Sequence, residues 1–109
     1  MAENTDGVVL MYTAKAKPGK EHELKKFLVS LVTASRHDPG NISYELHEVA
    51  GEPGTFIFYE QWISQEMLDA HTKTPGLKEF AARAEELMGY PFEQGMKKLT
   101  KLRPDPEKS

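Results

Sequence analysis

His71 is the first residue of this chain whose side chain could move or hold a proton. It ends a short predicted helix, just before the segment from Thr72 to Pro75 breaks the chain. A neutral imidazole can take a proton from a phenol or hold a substrate oxygen. The structural alternative is a histidine that caps the C-terminus of its helix, where a positive charge suits the helix dipole. From the residues alone both interpretations stay open.

Trp62 and Glu60 lie two positions apart, on one face of a predicted strand. The Trp62 ring could stack on an aromatic substrate while its N–H donates a hydrogen bond. Burial statistics favour a core tryptophan, which is compatible because a pocket wall is also core. Glu60, between Phe58 and Trp62, needs a partner or a wet rim. It could be a base with a raised pKa or could orient His71, but a salt bridge to a helix or partner-chain Lys or Arg is favoured.

Asn41 and Tyr44 belong to another predicted strand. The amide of Asn41 could donate to a substrate carbonyl or anion, although an Asn beside Gly40 is ordinary turn chemistry and this interpretation is favoured. Tyr44 could line a pocket as a phenol donor. His71 with Glu60 gives too few convergent ligands for a metal site, so no metal is expected.

The composition excludes several classes of function. The chain contains no cysteine, which rules out disulfides, thiolate nucleophiles and zinc–thiolate sites. The net charge of −3 argues against a nucleic-acid surface, and the cluster of Lys97, Lys98, Lys101 and Arg103 is favoured as a solvated strand edge. No apolar run approaches the roughly 18 residues of a membrane span, and the polar, acidic stretch Met1 to Asp6 is not expected to act as a signal peptide. The expected compartment is the cytoplasm.

Turn residues and hydrophobic periodicity divide the chain into alternating strands and helices. Strands are predicted over Val8–Lys17, Ile42–Val49, Thr55–Ile63 and Phe92–Leu102, and helices over Lys20–His37, Ser64–His71 and Thr74–Gly89, counting the caps. This β-α-β-β-α-β order, with two helical pieces in the second helical position, is typical of α+β ferredoxin-like folds with an antiparallel sheet. Residues 1–103 are interpreted as one domain and residues 104–109 as a disordered tail.

The second face of the predicted sheet is apolar as well. On the third strand, Phe58 and Trp62 point one way while Ile57 and Tyr59 point the other. Both helices of this fold lie on one face, and a large exposed apolar face is rare in monomers. The sequence therefore predicts a homodimer in which a second copy covers this face about a two-fold axis.

Three motifs in order carry a resemblance to a known family. They are Asn41–His47 after Pro39-Gly40, then Phe56–Trp62, then Asp69-Ala70-His71 followed by Pro75 and Phe80. Together they resemble the antibiotic biosynthesis monooxygenase family of dimeric α/β barrels, from about residue 8 to about residue 100.

The resemblance implies sheets that pack face to face as a dimer, and a pocket between helices and sheet in each protomer. Several members oxygenate phenols or quinols with molecular oxygen and neither metal nor flavin, while relatives degrade haem or isomerise small signalling sugars. Haem is not expected here, because the segment from Leu77 to Met88 lacks the histidine that binds iron in the haem-degrading relatives.

The resemblance favours a cofactor-independent monooxygenase that acts on an electron-rich aromatic such as a quinol. It gives His71 a pocket role as base or hydrogen-bond partner, Trp62 the role of a stacking wall, and Asn41, Tyr44 and Glu60 places around the substrate. The alternatives are a non-catalytic ligand-binding or stress-associated dimer, and an isomerase of a small oxygenated metabolite. No nucleic acid or membrane partner is expected.

Overall fold

A computed structural model describes residues 7–102 of the chain, so Arg103, the predicted tail and Met1 to Asp6 lie outside the described residues. The strands are β1 (Val8–Lys15), β2 (Asn41–Glu48), β3 (Thr55–Trp62) and β4 (Met96–Leu99), and the helices are α1 (Glu21–Arg36), α2 (Gln65–Thr72) and α3 (Pro75–Met88). The strands form one antiparallel sheet in the order β2-β3-β1-β4. The predicted α+β ferredoxin-like class is confirmed.

The core lies between this sheet and the helices. Alternate residues of β1 and β3 face the helices, and the pairing sets Tyr12 opposite Phe58 and Leu10 opposite Glu60. The apolar stripe of α1 consists of Leu24, Phe27, Leu28, Leu31 and Val32, of which the three leucines are buried against the sheet and the other two are partly buried. Because the stripe repeats every three or four residues, one helical face meets the sheet and the other stays polar.

The ends of α2 and α3 follow from their sequence, with one correction. Ser64 caps α2, since its hydroxyl accepts a hydrogen bond from the Met67 N–H at 3.2 Å, and Gly89 ends α3 with φ of 84°. Thr74 was expected to cap α3 in the same way. Its hydroxyl instead donates to the His71 carbonyl at 2.8 Å, which ties the end of α2 to the start of α3.

The predicted strand over Phe92–Leu102 is too long at both ends, since the strand covers only Met96–Leu99. Residues Phe92–Gly95 form a 3-10 turn, and only Met96–Leu99 pair with β1. The Phe92 ring stacks on Tyr12 with centroids 5.1 Å apart, and the Phe92 carbonyl accepts the Tyr12 hydroxyl at 2.5 Å. These two contacts pull the chain over the core before it can join the sheet.

The face of the sheet opposite the helices is only partly covered within the described residues. Ile57 is half-buried on this face, while Tyr59 is 37% exposed and Leu99 39% exposed. None of the helices formed by residues 7–102 has the length and apolar character needed to span a membrane.

Candidate functional site

His71 lies at the end of α2, packed over β2 and β3 and only 3% exposed. Its ring centroid is 4.5 Å from that of Trp62 and 5.4 Å from that of Tyr44, with an edge-on contact to Tyr44. Its Nδ1 lies 2.8 Å from Oδ2 of Asp38, in the turn between α1 and β2. The structure therefore brings together three of the residues predicted from the sequence. An exposed, charged helix cap does not describe a side chain buried in this way.

The hydrogen bond to Asp38 determines which nitrogen of His71 is free. A carboxylate only accepts hydrogen bonds, so an ionised Asp38 requires the proton between the two groups to be on Nδ1. In the neutral ring Nε2 then has a lone pair and no proton. Burial lowers the pKa of His71, with Asp38 opposing this effect only in part. A neutral imidazole with a free Nε2 can act as a proton acceptor near neutral pH.

Asp38 is a site residue that the sequence did not reveal. It follows α1 in a segment that reads as a turn, Asp38-Pro39-Gly40-Asn41, and it is 33 positions from His71. Acidic residues in such turns usually bond to nearby backbone. No local pattern distinguishes an aspartate that instead meets a histidine across the fold.

Glu60 is buried, with 5% exposure, and accepts a hydrogen bond from the Trp62 indole N–H at 3.0 Å. Burial raises the pKa of Glu60 to about 7, and the Trp62 N–H offsets part of this rise. The sequence favoured a salt bridge from Glu60 to a lysine or arginine of a helix or of a partner chain; within residues 7–102 Glu60 forms no such ion pair. Nor does it bind Nδ1 of His71, because Asp38 occupies that position.

An aromatic cavity lies between the sheet and helices α2 and α3. Its lining combines three aromatic rings of the sheet, two potential proton carriers, one threonine and five apolar side chains: Tyr12, Tyr44, Phe58, Glu60, Leu68, His71, Thr72, Leu77, Phe80, Phe92 and Met96. The volume open to the centre of a water-sized sphere is about 10 Å³. This is room for about one water molecule, so a larger ligand requires side chains to move.

The exposure of the lining side chains shows where the cavity opens to the surface. Of the lining residues only Thr72, Phe92 and Met96 are half-buried, while the others are buried. These three come from the end of α2, the 3-10 turn and the start of β4. The methionine is the most adaptable of them, since its unbranched side chain has three rotatable bonds. A ligand would therefore enter between α2 and the turn before β4.

Two phenols in the cavity wall remain protonated. Burial raises the pKa of Tyr44 above its ordinary value, and the charge of Glu60 adds to the effect. Burial likewise raises the pKa of Tyr12, whose hydroxyl is bonded to the Phe92 carbonyl. Neither phenol serves as a base at neutral pH, and Tyr44 matches the predicted phenol donor in position.

Asn41 and Trp62 lie outside the cavity lining. The Asn41 amide donates to the carbonyl oxygens of Ser43 at 3.0 Å and of Gln61 at 3.4 Å, across the irregular pairing at the start of β2. It therefore holds backbone, as its turn interpretation suggested. Trp62 packs beside His71 and binds Glu60, so it supports two cavity residues from behind.

The described residues offer no ready metal site. No group of three or more His, Asp or Glu side chains in residues 7–102 converges in a way that could hold a metal ion. The chemistry available from the chain itself is proton transfer at His71 and Glu60 and hydrogen bonding from Tyr44, in a largely apolar space.

Comparison with known proteins places this arrangement among relatives. The family model described as "Antibiotic biosynthesis monooxygenase" matches residues 7–83. "Putative monooxygenase YcnE" of Bacillus subtilis is 35% identical over 79% of this chain and 90% of its own length. "Uncharacterized protein sll1783" of Synechocystis is 34% identical over 81% of this chain, which spans 60% of that longer protein. The crystal structure of PA3566 from Pseudomonas aeruginosa superposes with a TM-score of 0.79 at 29% identity, covering 88% of this chain and 94% of that one.

Proposed function

This chain belongs to the antibiotic biosynthesis monooxygenase family, and we propose that it oxygenates an electron-rich aromatic of quinol type with molecular oxygen. The family and the relatives support a general monooxygenase-like function. The observation that carries the finer proposal is the buried His71 in the wall of an aromatic cavity, with its Nδ1 in hydrogen-bond contact with the Asp38 carboxylate. We further propose that the reaction needs no flavin, haem or metal, because the substrate itself supplies the electrons.

The chemistry begins with proton removal. Nε2 of His71 takes the proton of a quinol hydroxyl, and Asp38 stabilises the imidazolium that forms. The quinolate is then a strong electron donor in a small, largely apolar space. In the net reaction a quinol and O₂ give a hydroxyquinone and water, and the quinol supplies four electrons. One oxygen atom of O₂ replaces a hydrogen on the ring as a hydroxyl group. The other oxygen atom leaves as water, which carries the two hydrogen atoms that the quinol loses in net. The proton held by His71 returns to that departing oxygen.

The remaining wall residues act on orientation and charge. The Tyr44 hydroxyl can donate a hydrogen bond to a substrate oxygen, since its pKa is raised and it keeps its proton. Glu60 exchanges its proton near pH 7, so it can hold the second hydroxyl of a quinol in either state. The rings of Phe58 and Phe80 offer faces and edges for an aromatic substrate.

We also propose that the chain works as a homodimer through the face of the sheet opposite the helices, called the outer face below. Tyr59 and Leu99 lie exposed on this face, and a groove of about 220 Å³ runs between them. Tyrosine is enriched at protein interfaces, and an exposed tyrosine and leucine on one sheet face can pack against the same face of a second copy about a two-fold axis. The contact would cover apolar surface that the helices of one protomer cannot reach.

Oxygen uptake in the presence of a panel of quinols tests the function. The wild-type protein should consume oxygen and substrate in equal amounts, also with a chelator present. His71→Gln should reduce the rate about 10²-fold, the usual contribution of a general base. His22→Gln, an exposed histidine of α1, is the matched control and should leave the rate unchanged. Thermal stabilisation by quinols without oxygen uptake would indicate a ligand-binding protein instead and overturn the proposal.

A further inference from the structure

We propose that Asp38 is the positioning residue of the site: it fixes His71 in the Nδ1–H tautomer and so presents an unprotonated Nε2 to the cavity. The catalytic consequence rests on the proposed function, whereas the tautomer itself does not. Asp38 does not line the cavity and is not expected to touch a substrate. It acts through the histidine.

The pair is held at both ends by backbone. The Asp38 N–H donates to the Ser35 carbonyl at 3.1 Å, and the Asp38 carbonyl accepts from the Asn41 N–H at 3.2 Å. On the other side, the His71 carbonyl accepts the Thr74 hydroxyl at 2.8 Å. Because a turn holds the backbone of Asp38 and the end of α2 holds that of His71, the two side chains are placed within reach of the 2.8 Å contact between Nδ1 and Oδ2.

Among residues 7–102, Asp38 is the group within hydrogen-bond distance of Nδ1. The side chains that face the imidazole are Tyr44 from β2, Trp62 from β3 and Asp38 from the turn after α1, with Glu60 in the same cavity wall. Tyr44 and Trp62 meet the ring with aromatic surface, and Glu60 accepts the Trp62 N–H. Among residues 7–102 Asp38 is therefore the acceptor that can select the tautomer.

The second nitrogen is left for a ligand. Nε2 makes no hydrogen bond within the described part of the chain, and no side-chain nitrogen or oxygen there is both fully buried and without a partner. Nε2 therefore keeps some open surface, although the side chain as a whole is only 2% exposed. His71 forms part of the cavity wall, and under this proposal the open surface of Nε2 lies on the cavity side, where a substrate proton can reach the lone pair.

Asp38 also reaches the outside of the molecule. Its side chain is 20% exposed, and it lines a surface groove between α1 and the junction of α2 with α3, together with Ser35, Thr74 and Pro75. The carboxylate can thus keep part of its hydration while one oxygen binds the histidine. A fixed negative charge beside Nδ1 lowers the free energy of the imidazolium that forms when Nε2 takes a proton. Positioning and charge compensation come from the same group.

Replacement of Asp38 by asparagine removes the charge and the strict acceptor character of the side chain while it keeps the side chain's size. An amide has the size of the carboxylate, but it carries no charge and can donate as well as accept a hydrogen bond. Asp38→Asn should therefore leave the fold intact, release the choice of tautomer and remove the support for the imidazolium. Asp69→Asn is the matched control, since Asp69 is an exposed residue of α2 that bonds to Gln65.

Nitrogen-15 NMR of the imidazole groups in the full chain tests the inference without any substrate. In the wild type we expect a single Nδ1–H tautomer at pH above the His71 pKa. In Asp38→Asn we expect the Nε2–H form to appear and the His71 pKa to fall further, because Asp38 is the group that opposes the effect of burial. An Nε2–H tautomer in the wild type would overturn the proposal. So would a folded Asp38→Asn protein with the wild-type tautomer and pKa. If the variant does not fold, the wild-type spectrum decides alone.

Kinetics then connect the tautomer to catalysis. With a quinol that the wild type oxygenates, Asp38→Asn should lower kcat about 10²-fold with little change in KM, and move the acidic limb of the pH–rate profile. Asp69→Asn should match the wild type. An active Asp38→Asn enzyme with an altered tautomer would refute the positioning role. Absence of turnover by the wild type would instead refute the proposed function, and the NMR result would stand on its own.

Discussion

Replacement of Glu60 by glutamine should change how the stability of the protein depends on pH. Glu60 is 5% exposed, and burial raises its pKa from 4.5 to about 7 in the folded protein. Glutamine has nearly the same shape and can still accept the Trp62 N–H through its amide oxygen, but it cannot ionise. The comparison of the two proteins therefore isolates the cost of the buried charge.

The direction of the pH effect on stability depends on which state of the protein, folded or unfolded, binds the Glu60 proton more tightly. The folded state holds the Glu60 proton more strongly than the unfolded state, so this group stabilises the fold fully below about pH 4.5 and ceases to do so as pH rises through about 7. One pKa unit corresponds to about 1.4 kcal/mol, which gives about 3 kcal/mol over the whole range. Between about pH 5 and about pH 9 the expected change is about 2.5 kcal/mol. The free energy of unfolding of Glu60→Gln should therefore increase by this amount relative to that of the wild type as pH rises.

Urea unfolding at both pH values and at one fixed protein concentration measures this difference. His71, whose pKa is lowered, makes the fold less stable as pH falls below its ordinary value of 6.5, but both proteins contain it and its contribution largely cancels. Glu79→Gln, an exposed residue of α3, is the control and should shift by no more than about 0.5 kcal/mol. A Glu60→Gln difference that is the same at both pH values would refute the argument. It would mean that Glu60 ionises normally or pairs with a cation in an assembly.

Three further substitutions test the dimer, a helix cap and the cavity mouth. Tyr59→Glu places a charge on the outer sheet face and should halve the mass measured by light scattering at micromolar concentration; a monomeric wild type would contradict the proposed dimer. Ser64→Ala removes the hydroxyl that accepts the Met67 N–H and should cost about 1 kcal/mol in urea unfolding, whereas no loss would show that the cap contributes nothing. Gly95→Ala would place a methyl carbon 2.5 Å from the Thr13 carbonyl oxygen and should cost about 1–3 kcal/mol. A wild-type melting temperature for this variant would argue against the close approach of the 3-10 turn.

The fold was largely predictable because its signals are local. The stripe in α1 that contains Leu24, the serine before α2 and the glycine after α3 each describe their own neighbourhood. The last strand was predicted too long because phenylalanine, the residue type at position 92, is common in strands. What removes it from the sheet is its stacking on Tyr12, 80 positions away, which no local pattern records.

The candidate site was predictable only in part, for a related reason. His71, Trp62 and Tyr44 were identified by residue type and motif, and the structure brings them together. The partner of His71 was assigned to Glu60 as one possibility, whereas the fold supplies Asp38. Residue types indicate which groups can exchange protons, but the pairing of those groups depends on how α2 folds back over the turn after α1.

Isotope labelling with ¹⁸O₂ is the most direct test of the central claim that this chain is a monooxygenase of quinols in which the substrate supplies the electrons. Purified protein treated with a chelator would be given a quinol under ¹⁸O₂. The reaction would be quenched early, and the mass of the product would be measured by mass spectrometry. The account predicts one ¹⁸O atom in each product molecule, equal consumption of quinol and oxygen, and loss of the signal in His71→Gln. Product without label, accompanied by one hydrogen peroxide for each quinol, would show simple oxidation of the substrate and would contradict it.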